Sequence, residues 1–344
     1  MRYSIVIVGL LLGLISSCTS TPVEEVELKN ASGKDQAAVG ENSNGVLDSL
    51  NELLELHPED ASLYMERAKW FLEQRNYGRA DLDLQKALDL EPSNTKYLLA
   101  YGNHMLFTNQ SRKAKDVWLI CAEVDSSNVS CRLKLAELYL LVQQYDDVFK
   151  YSKEVSNLAP EKHMPYFYTG MAFMEKGDTA RAIHSFQTSL EKKTDFLRGM
   201  EQLAHLYGLK GEYIAVDYYN NMLNLDPNRS LTYFNLATFY QSKGEYEKAS
   251  SIYLLGLQLA PENAGMYYNL GFVYTSMKEF DKAQLAFTNA IKFDDVYFEA
   301  YFARGYVYTQ LENNKKALED YKSCLLLKPG YLPALNEIER IEGK

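Results

Sequence analysis

A small residue, glycine or alanine, recurs along most of this chain at a spacing of 34 residues, with one step of 33. It stands at eight places: Ala68, Gly102, Ala136, Gly170, Ala204, Ala237, Gly271 and Gly305. Self-similarity at a fixed period of about 20 to 50 residues is typical of repeat architectures, in which each copy is one supersecondary unit. This period constrains the fold more than any other feature of the chain.

Other positions keep step with the small residue. In the copy around Gly271 they are Tyr274, Ala283 and Phe287, and most copies carry residues of the same kind there. Apolar residues within a copy fall at i, i+3, i+4 and i+7, which is the stripe of an amphipathic helix. Turns such as Lys243-Gly244-Glu245 separate two such stripes. Each copy therefore predicts two helices that bury their apolar faces by stacking on neighbouring copies. Proline closes five copies, at Pro92, Pro160, Pro227, Pro261 and Pro329.

This pattern resembles the tetratricopeptide repeat (TPR). The resemblance implies an all-α fold, a right-handed superhelical α-solenoid of about eight helix–turn–helix units. Amphipathic segments at 45–60 and 332–344 predict helices that cap the two ends of the array, as solenoids require. The eight predicted units are 61–94, 95–128, 129–162, 163–196, 197–229, 230–263, 264–297 and 298–331.

The first 44 residues have a different composition. Residues 1–17 contain one basic residue, Arg2, and an apolar run too short to span a bilayer as a mature helix, which is the layout of a secretory signal. The end of this run, Leu14-Ile15-Ser16-Ser17-Cys18, resembles a bacterial lipobox. The resemblance implies cleavage before Cys18 and lipid, palmitate included, on that cysteine; an ordinary signal peptide with an incidental cysteine is the alternative. The polar residues that follow Cys18 predict a flexible tether, so that 18–44 forms the lipidated cysteine and its linker.

Lipidation predicts a location in the cell envelope of a Gram-negative bacterium. Thr19, the second mature residue, favours sorting to the outer membrane by family resemblance. We expect the folded body to face the periplasm rather than the cell surface.

Charge and motifs argue against several function classes. The chain has 46 acidic and 36 basic residues and a net charge of −10, so it lacks the basic excess of a nucleic-acid binder. The acidic residues are expected on solvent-facing sides of helices. There is no phosphate-binding glycine loop and no G-x-S-x-G motif. We therefore predict no cofactor and no catalytic residue, and an enzyme is the least favoured class.

The histidines show no metal-binding pattern. No pair has the HExxH spacing, and no cysteine lies near one in a ligand pattern, so no metal site is predicted. We expect surface or groove positions for all five: His57, His104, His163, His184 and His205.

The cysteines separate by context. Cys121 and Cys131 flank the turn between the second and third units. In an oxidising envelope they could form a disulfide, and two reduced core thiols are an equally good interpretation. Cys324 takes a repeat position held elsewhere by Ala87 and Ala290, which predicts a small buried residue.

In the TPR family the first helices line a concave groove that holds an extended peptide or a partner helix, through the second, fifth, ninth and twelfth positions of each unit. Lys69 and Asn103 alone do not rebuild the carboxylate clamp of chaperone-binding members, so capture of a C-terminal carboxylate is not expected. The side chains at groove positions are largely aromatic or sulfur-containing, and such exposed strips mark interaction surfaces. Packing between units is the alternative use for some of them. The predicted groove residues are Phe167, Met171, Met174, His205, Phe234, Tyr268, Phe272, Phe302 and Tyr306.

These features predict a lipid-anchored envelope scaffold that binds a protein partner through its concave groove. Assembly, secretion or pilus-type machinery is the setting that the resemblance suggests. A binding module for peptides or peptidoglycan-related ligands is the alternative function.

Overall fold

The computed structural model describes residues 39–343. The predicted signal peptide (1–17), the lipid-attachment residue Cys18 and tether residues 19–38 lie outside these residues. The described part contains eighteen α-helices and no strand, which confirms the predicted all-α fold. No helix within it combines the length and apolar character that a bilayer crossing needs. The chain divides after Leu90 into a first and a second compact part.

The first part holds α1 (Val39–Leu56), α2 (Ala61–Glu73) and α3 (Tyr77–Leu90). Helix α1 differs from the predicted capping helix, 45–60, because it begins inside the predicted tether and ends before Pro58. The first turns of α1 lack the apolar residues at helical spacing from which the other helices were predicted. Its end agrees with the steric restriction that Pro58 places on the residue before it. Asp60 then starts α2 as an N-cap, accepting a hydrogen bond from the Ser62 amide.

The second part alternates first and second helices of the predicted units and ends in one capping helix. Each first helix packs mainly against the second helix of its own unit, and each second helix packs against the first helix of the next unit. The helices are α4 (Thr95–Phe107), α5 (Ser111–Val124), α6 (Val129–Leu141), α7 (Tyr145–Leu158), α8 (Met164–Glu175), α9 (Thr179–Lys192), α10 (Leu197–Leu209), α11 (Ile214–Leu225), α12 (Ser230–Ser242), α13 (Tyr246–Leu259), α14 (Ala264–Ser276), α15 (Phe280–Phe293), α16 (Phe298–Gln310), α17 (Asn314–Leu327) and α18 (Leu332–Glu342).

The recurring small residue lets the two helices of a unit approach each other. In the seventh unit a Cβ added to Gly271 would lie 2.7 Å from the buried ring of Phe287, closer than real Cβ contacts. Gly305 meets the ring of Tyr321 at the same distance, 2.7 Å. The aromatic ring of the second helix thus fills the space that the missing side chain leaves, which is why the two residues recur together.

A left-handed residue ends the first helix of every unit. In the sixth unit it is Gly244 (φ 74°), whose amide donates to the Gln241 carbonyl, while the next amide, Glu245, donates to the Tyr240 carbonyl. These two bonds are the Schellman arrangement, which satisfies otherwise unpaired carbonyls of the helix end. Five units adopt the same conformation without glycine, at Arg75, Asn109, Gln143, Lys278 and Glu312, with φ from 57° to 61°.

Two aspartates are buried, which corrects the expectation that acidic residues stay on solvent faces. Asp83 in the first part and Asp320 in the second are each 5% exposed. Each accepts two hydrogen bonds from an arginine of its own unit, Arg67 and Arg304 respectively, at 2.7–2.8 Å. A buried carboxylate needs such pairing because the interior does not solvate its charge.

Candidate functional site

In three units of the second part, the aromatic residue at the fifth position packs against the ring that closes the same unit. Phe167 is 1% exposed, so its predicted place in the groove is wrong. Its ring centroid lies 5.6 Å from that of Phe186 on the second helix and 5.1 Å from that of Phe196, the residue that closes the same unit. The two rings enclose Phe167 because aromatic side chains gain more from mutual contact than from facing water.

The same arrangement recurs at Tyr268 and Phe302. The Tyr268 ring lies 5.8 Å from Phe287 and 4.9 Å from Tyr297, and burial raises the pKa of Tyr268 to about 12. Phe302 lies 5.6 Å from Tyr321 and 5.4 Å from Tyr331. Both side chains are half-buried, so each keeps an accessible edge.

Phe234 makes only the first of these two ring contacts. Its ring contacts Tyr253 at 6.1 Å, but the unit closes with Asn263 instead of an aromatic residue. Most aromatic side chains at the fifth position therefore pack against other rings of their own unit and are only partly available to a partner.

The ninth position behaves differently. Phe272 and Tyr306 are half-buried, and neither ring contacts another aromatic ring among residues 39–343. They also lie outside the hydrophobic clusters that hold Tyr268 and Phe302. At the same position Met171 is half-buried, while Thr238 and His205 are exposed. The side chain therefore changes from unit to unit, whereas the core positions repeat.

Polar groups of the ninth and twelfth positions contact core tyrosines. The Tyr253 hydroxyl lies 2.9 Å from the Thr238 hydroxyl and donates to Oε1 of Gln241 at 2.8 Å. In the eighth unit the hydroxyls of Tyr321 and Thr309 are 3.2 Å apart. In the fourth unit the twelfth position is Met174, which is half-buried. This side of the first helices thus combines apolar and hydrogen-bonding groups.

Of the histidines, His205 is the one that the structure leaves exposed at a predicted groove position. Partial burial of its imidazole lowers the pKa of His205, and the neighbouring carboxylate of Glu201 opposes that shift. His104 is 4% exposed, which corrects the expectation that it lies on the surface or in the groove. It stands at the tenth position, where the other units of the second part bury residues such as Leu138 and Val273. Within the described residues, no group of three or more His, Cys, Asp or Glu side chains could hold a metal ion.

Three carboxylates occupy groove positions of the second part, at Glu137, Glu201 and Glu299. Glu137 pairs with Lys134 at 2.9 Å, and Glu201 pairs with Arg229 at 3.5 Å. Glu299, at the second position of the eighth unit, forms no ion pair with any described residue and is half-buried.

Comparison with known proteins identifies the repeat. A family model described as the tetratricopeptide repeat matches residues 231–263, 264–297 and 298–331, and so covers the last three predicted units. The C-terminal part of a TPR repeat-containing protein from Cytophaga hutchinsonii superimposes with a TM-score of 0.61 at 20% identity, over 70% of this chain and 99% of that one. The chain has the α-solenoid fold of TPR proteins, and its last three units match the tetratricopeptide repeat.

Two further solved structures resemble this TPR solenoid over about half of its length. MamA matches at 25% identity over 49% of this chain and 93% of its own, with a TM-score of 0.46. YrrB, described as a TPR protein with an unusual peptide-binding site, matches at 18% identity over 55% of this chain and 97% of its own, with a TM-score of 0.48.

A disulfide and a set of arginine hydrogen bonds join the second and third TPR units. The structure links Cys121 at the end of α5 to Cys131 at the start of α6 by a disulfide, with their Cα atoms 6.2 Å apart. Beside it the buried guanidinium of Arg132 donates to the carbonyls of Ala122 (3.2 Å) and Asn128 (2.9 Å). Sequence reasoning did not single out Arg132, because a lone arginine at a core position carries no motif. Cys324 is buried, as its repeat position predicts.

Proposed function

We propose that this TPR solenoid is a scaffold that binds an extended segment of a protein partner through the groove side of the first helices in its second part. The observation that carries the proposal is the contrast between neighbouring aromatic positions. Tyr268 and Phe302 are held in ring contacts within their units, whereas Phe272 and Tyr306 contact no aromatic ring among residues 39–343 and are half-buried. Partly exposed aromatic rings that are not stacked on other rings are typical anchors of binding surfaces.

Other groove positions supply the adaptable contacts that peptide binding requires. Met171 and Met174 are flexible and polarisable, so they can adjust to different partner side chains. Thr238 and Gln241 present hydroxyl and amide groups, which can hydrogen-bond to an extended backbone. The proposal gives the chain a binding role and no catalytic one.

We further propose that the chain is anchored in the envelope by lipid on Cys18, with the folded body on the periplasmic side of the outer membrane. The support is the sequence around the lipobox-like Leu14-Ile15-Ser16-Ser17-Cys18. Helix α1 begins at Val39, so the linker proposed between the lipid and the helices is residues 19–38. Mass spectrometry of the mature N-terminus tests this anchor, and an unmodified N-terminal residue would overturn it.

The binding role is tested by partner capture in intact cells. A photo-crosslinking residue in place of Tyr306, followed by affinity purification, should trap a specific protein. The double substitution Phe272→Ser and Tyr306→Ser should abolish capture of that protein by chemical crosslinking while helical circular dichroism stays unchanged.

The matched control changes two exposed leucines on the second helices of the same units. Leu285 is 60% exposed and Leu326 is 83% exposed, so Leu285→Ser with Leu326→Ser removes apolar surface away from the groove side. This control should retain the partner. Equal capture by the groove variant and the wild type would show that the binding site lies elsewhere.

A further inference from the structure

Glu299 is the exception among the groove carboxylates. The other two each have a basic partner within the chain, Lys134 for Glu137 and Arg229 for Glu201. Glu299 forms no ion pair within the described residues, and the more distant Lys328 only partly offsets the burial that raises the pKa of Glu299. A partly desolvated carboxylate without a direct ion pair is unfavourable for the free protein. Its place at a groove position suggests that the missing charge belongs to the bound partner.

Tyrosine side chains lie near this carboxylate. Glu299 follows Tyr297 by two residues, and the Tyr297 ring lies 4.9 Å from that of Tyr268. Burial first, and then the nearby Glu299 carboxylate, raise the pKa of Tyr268 to about 12. Glu299 also contributes, after burial and other neighbours, to the raised pKa of Tyr297 and of Tyr331. The carboxylate of Glu299 therefore lies within electrostatic reach of these tyrosines.

The position of Glu299 in the first turn of α16 does not by itself account for its environment. An acidic side chain in the first turn of a helix interacts favourably with the helix dipole, which lowers its pKa. The pKa of Glu299 is instead raised, mainly by burial and further by Asp294, and neither the hydrogen bond with its own backbone amide nor the charge of Lys328 cancels this rise. The net environment thus disfavours the charged carboxylate, and a cation would reverse this.

Tyrosine and phenylalanine faces attract cations, and this chain already uses that interaction. The guanidinium of Arg198 lies 4.8 Å from the ring centre of Phe167, and that of Arg304 lies 5.8 Å from the ring centre of Tyr301. A planar guanidinium can stack on a ring and donate to a carboxylate at the same time. Rings beside an unpaired carboxylate therefore suit a basic side chain and repel an anionic one.

We propose that Glu299, with the rings of Tyr268 and Tyr297 beside it, forms a subsite for an arginine or lysine side chain of the segment bound in the groove. The inference rests on the proposed function and adds the chemistry of the partner, which is a peptide segment with a basic residue. Phe272 and Tyr306 would anchor its apolar side chains, and Glu299 would fix its register.

The test uses the full-length chain in detergent and a random nonapeptide library. Wild-type protein should select peptides that carry arginine or lysine at one fixed position. Replacing that arginine by citrulline, a neutral side chain of the same shape, should weaken binding about tenfold or more, because hydrogen bonds to charged groups contribute about 1.5–3 kcal/mol.

The variant Glu299→Gln should bind the arginine and citrulline peptides equally. Glu319→Gln is the matched control, because Glu319 is an exposed glutamate on α17 of the same unit and should keep the full preference. Thermal unfolding checks that both variants are folded.

The outcomes separate the inference from the proposed function. If selected peptides require Phe272 and Tyr306 but show no basic position, or if Glu299→Gln keeps the preference for arginine, the subsite is wrong and the binding role stands. If the wild type selects no peptide, or if the Phe272→Ser, Tyr306→Ser variant selects the same peptides, both are wrong.

Discussion

Arg304 and Asp320 form a two-pronged ion pair in the interior of the last TPR unit, with Nε···Oδ2 and Nη2···Oδ1 distances of 2.8 Å. The third guanidinium nitrogen, Nη1, donates to the Thr288 hydroxyl on α15 at 3.1 Å. One side chain thus joins both helices of its unit to the second helix of the unit before it. Four of the six interior units place leucine at the position of Arg304, for example Leu270, so this unit replaces an apolar contact with a charged one.

Removing one partner of this pair should be more damaging than removing both. Asp320→Ala leaves the mostly buried guanidinium of Arg304 without its counter-charge, and we expect it to lower the free energy of unfolding by about 2–3 kcal/mol. The double variant Arg304→Leu, Asp320→Ala reproduces the residues of the seventh unit, Leu270 and Ala286, and should recover much of that loss. Urea unfolding followed by circular dichroism measures both. A double variant that is as unstable as the single one would contradict this account.

The left-handed turn residues provide a second prediction. Lys278 and Glu312 hold φ values of 61° and 58°, where Gly244 holds 74° in the equivalent turn. A residue with a Cβ in this conformation is strained by about 1–2 kcal/mol. Glycine avoids this strain, but it loses more conformational entropy on folding, which offsets part of the gain. Lys278→Gly and Glu312→Gly should therefore each raise the free energy of unfolding by up to about 1 kcal/mol.

Matched substitutions check the direction of that effect. Gly244→Ala should lower stability by a similar amount, because it introduces the strain that Lys278 already has. Gln284→Gly, in the middle of α15, should also lower it by about 1 kcal/mol, since glycine weakens a helix interior. Thermal unfolding midpoints compare all four variants. Destabilisation by Lys278→Gly would show that its side chain contributes more than the backbone strain costs.

The sequence was sufficient to predict the repeat architecture because the packing code depends on local spacing. A glycine and an aromatic ring sixteen residues apart, such as Gly271 and Phe287, meet wherever a helix, a turn and a second helix of fixed length follow one another. The spacing within each copy therefore determines which residues of its two helices are in contact. Helix α1 was harder to predict, because its first turns lack that spacing.

The groove was predicted less well, because exposure depends on residues that vary between units. Phe167 is covered by Phe196, which closes its unit, and aromatic closing residues also contact Tyr268 and Phe302. An aromatic residue at both the fifth and the last position of a unit is a sequence signal for this closure, and it was missed. The buried Arg67–Asp83 and Arg304–Asp320 pairs were missed for a related reason, since each residue alone is typical of a solvated helix face.

The disulfide between Cys121 and Cys131 yields a third prediction. In protein isolated from an oxidising compartment and denatured without reductant, a thiol reagent should label Cys324 but neither Cys121 nor Cys131. After reduction, all three cysteines should react in the denatured protein. The free energy of unfolding of the reduced protein should be lower by about 3 kcal/mol, as expected for a disulfide that closes so short a loop. Peptide mapping by mass spectrometry locates the label. Labelling of Cys121 and Cys131 without reduction would show that the two thiols are free.

Glu299 yields a prediction about pH. Because its pKa in the folded chain is raised above the ordinary value of 4.5, mainly by burial, the unfolded chain releases this proton at lower pH than the folded chain does. The contribution of Glu299 to stability is therefore fully present below that ordinary value and is lost as pH rises through the folded pKa. Glu299→Gln removes this loss, so the variant should be at least as stable as the wild type at neutral pH, and its advantage should vanish in acid.

Urea unfolding at both pH values, with Glu319→Gln as the control, measures the difference. A variant less stable than the wild type at neutral pH would mean that the Glu299 carboxylate already has a favourable partner in the free protein, and the proposed subsite for a basic side chain would lose its basis.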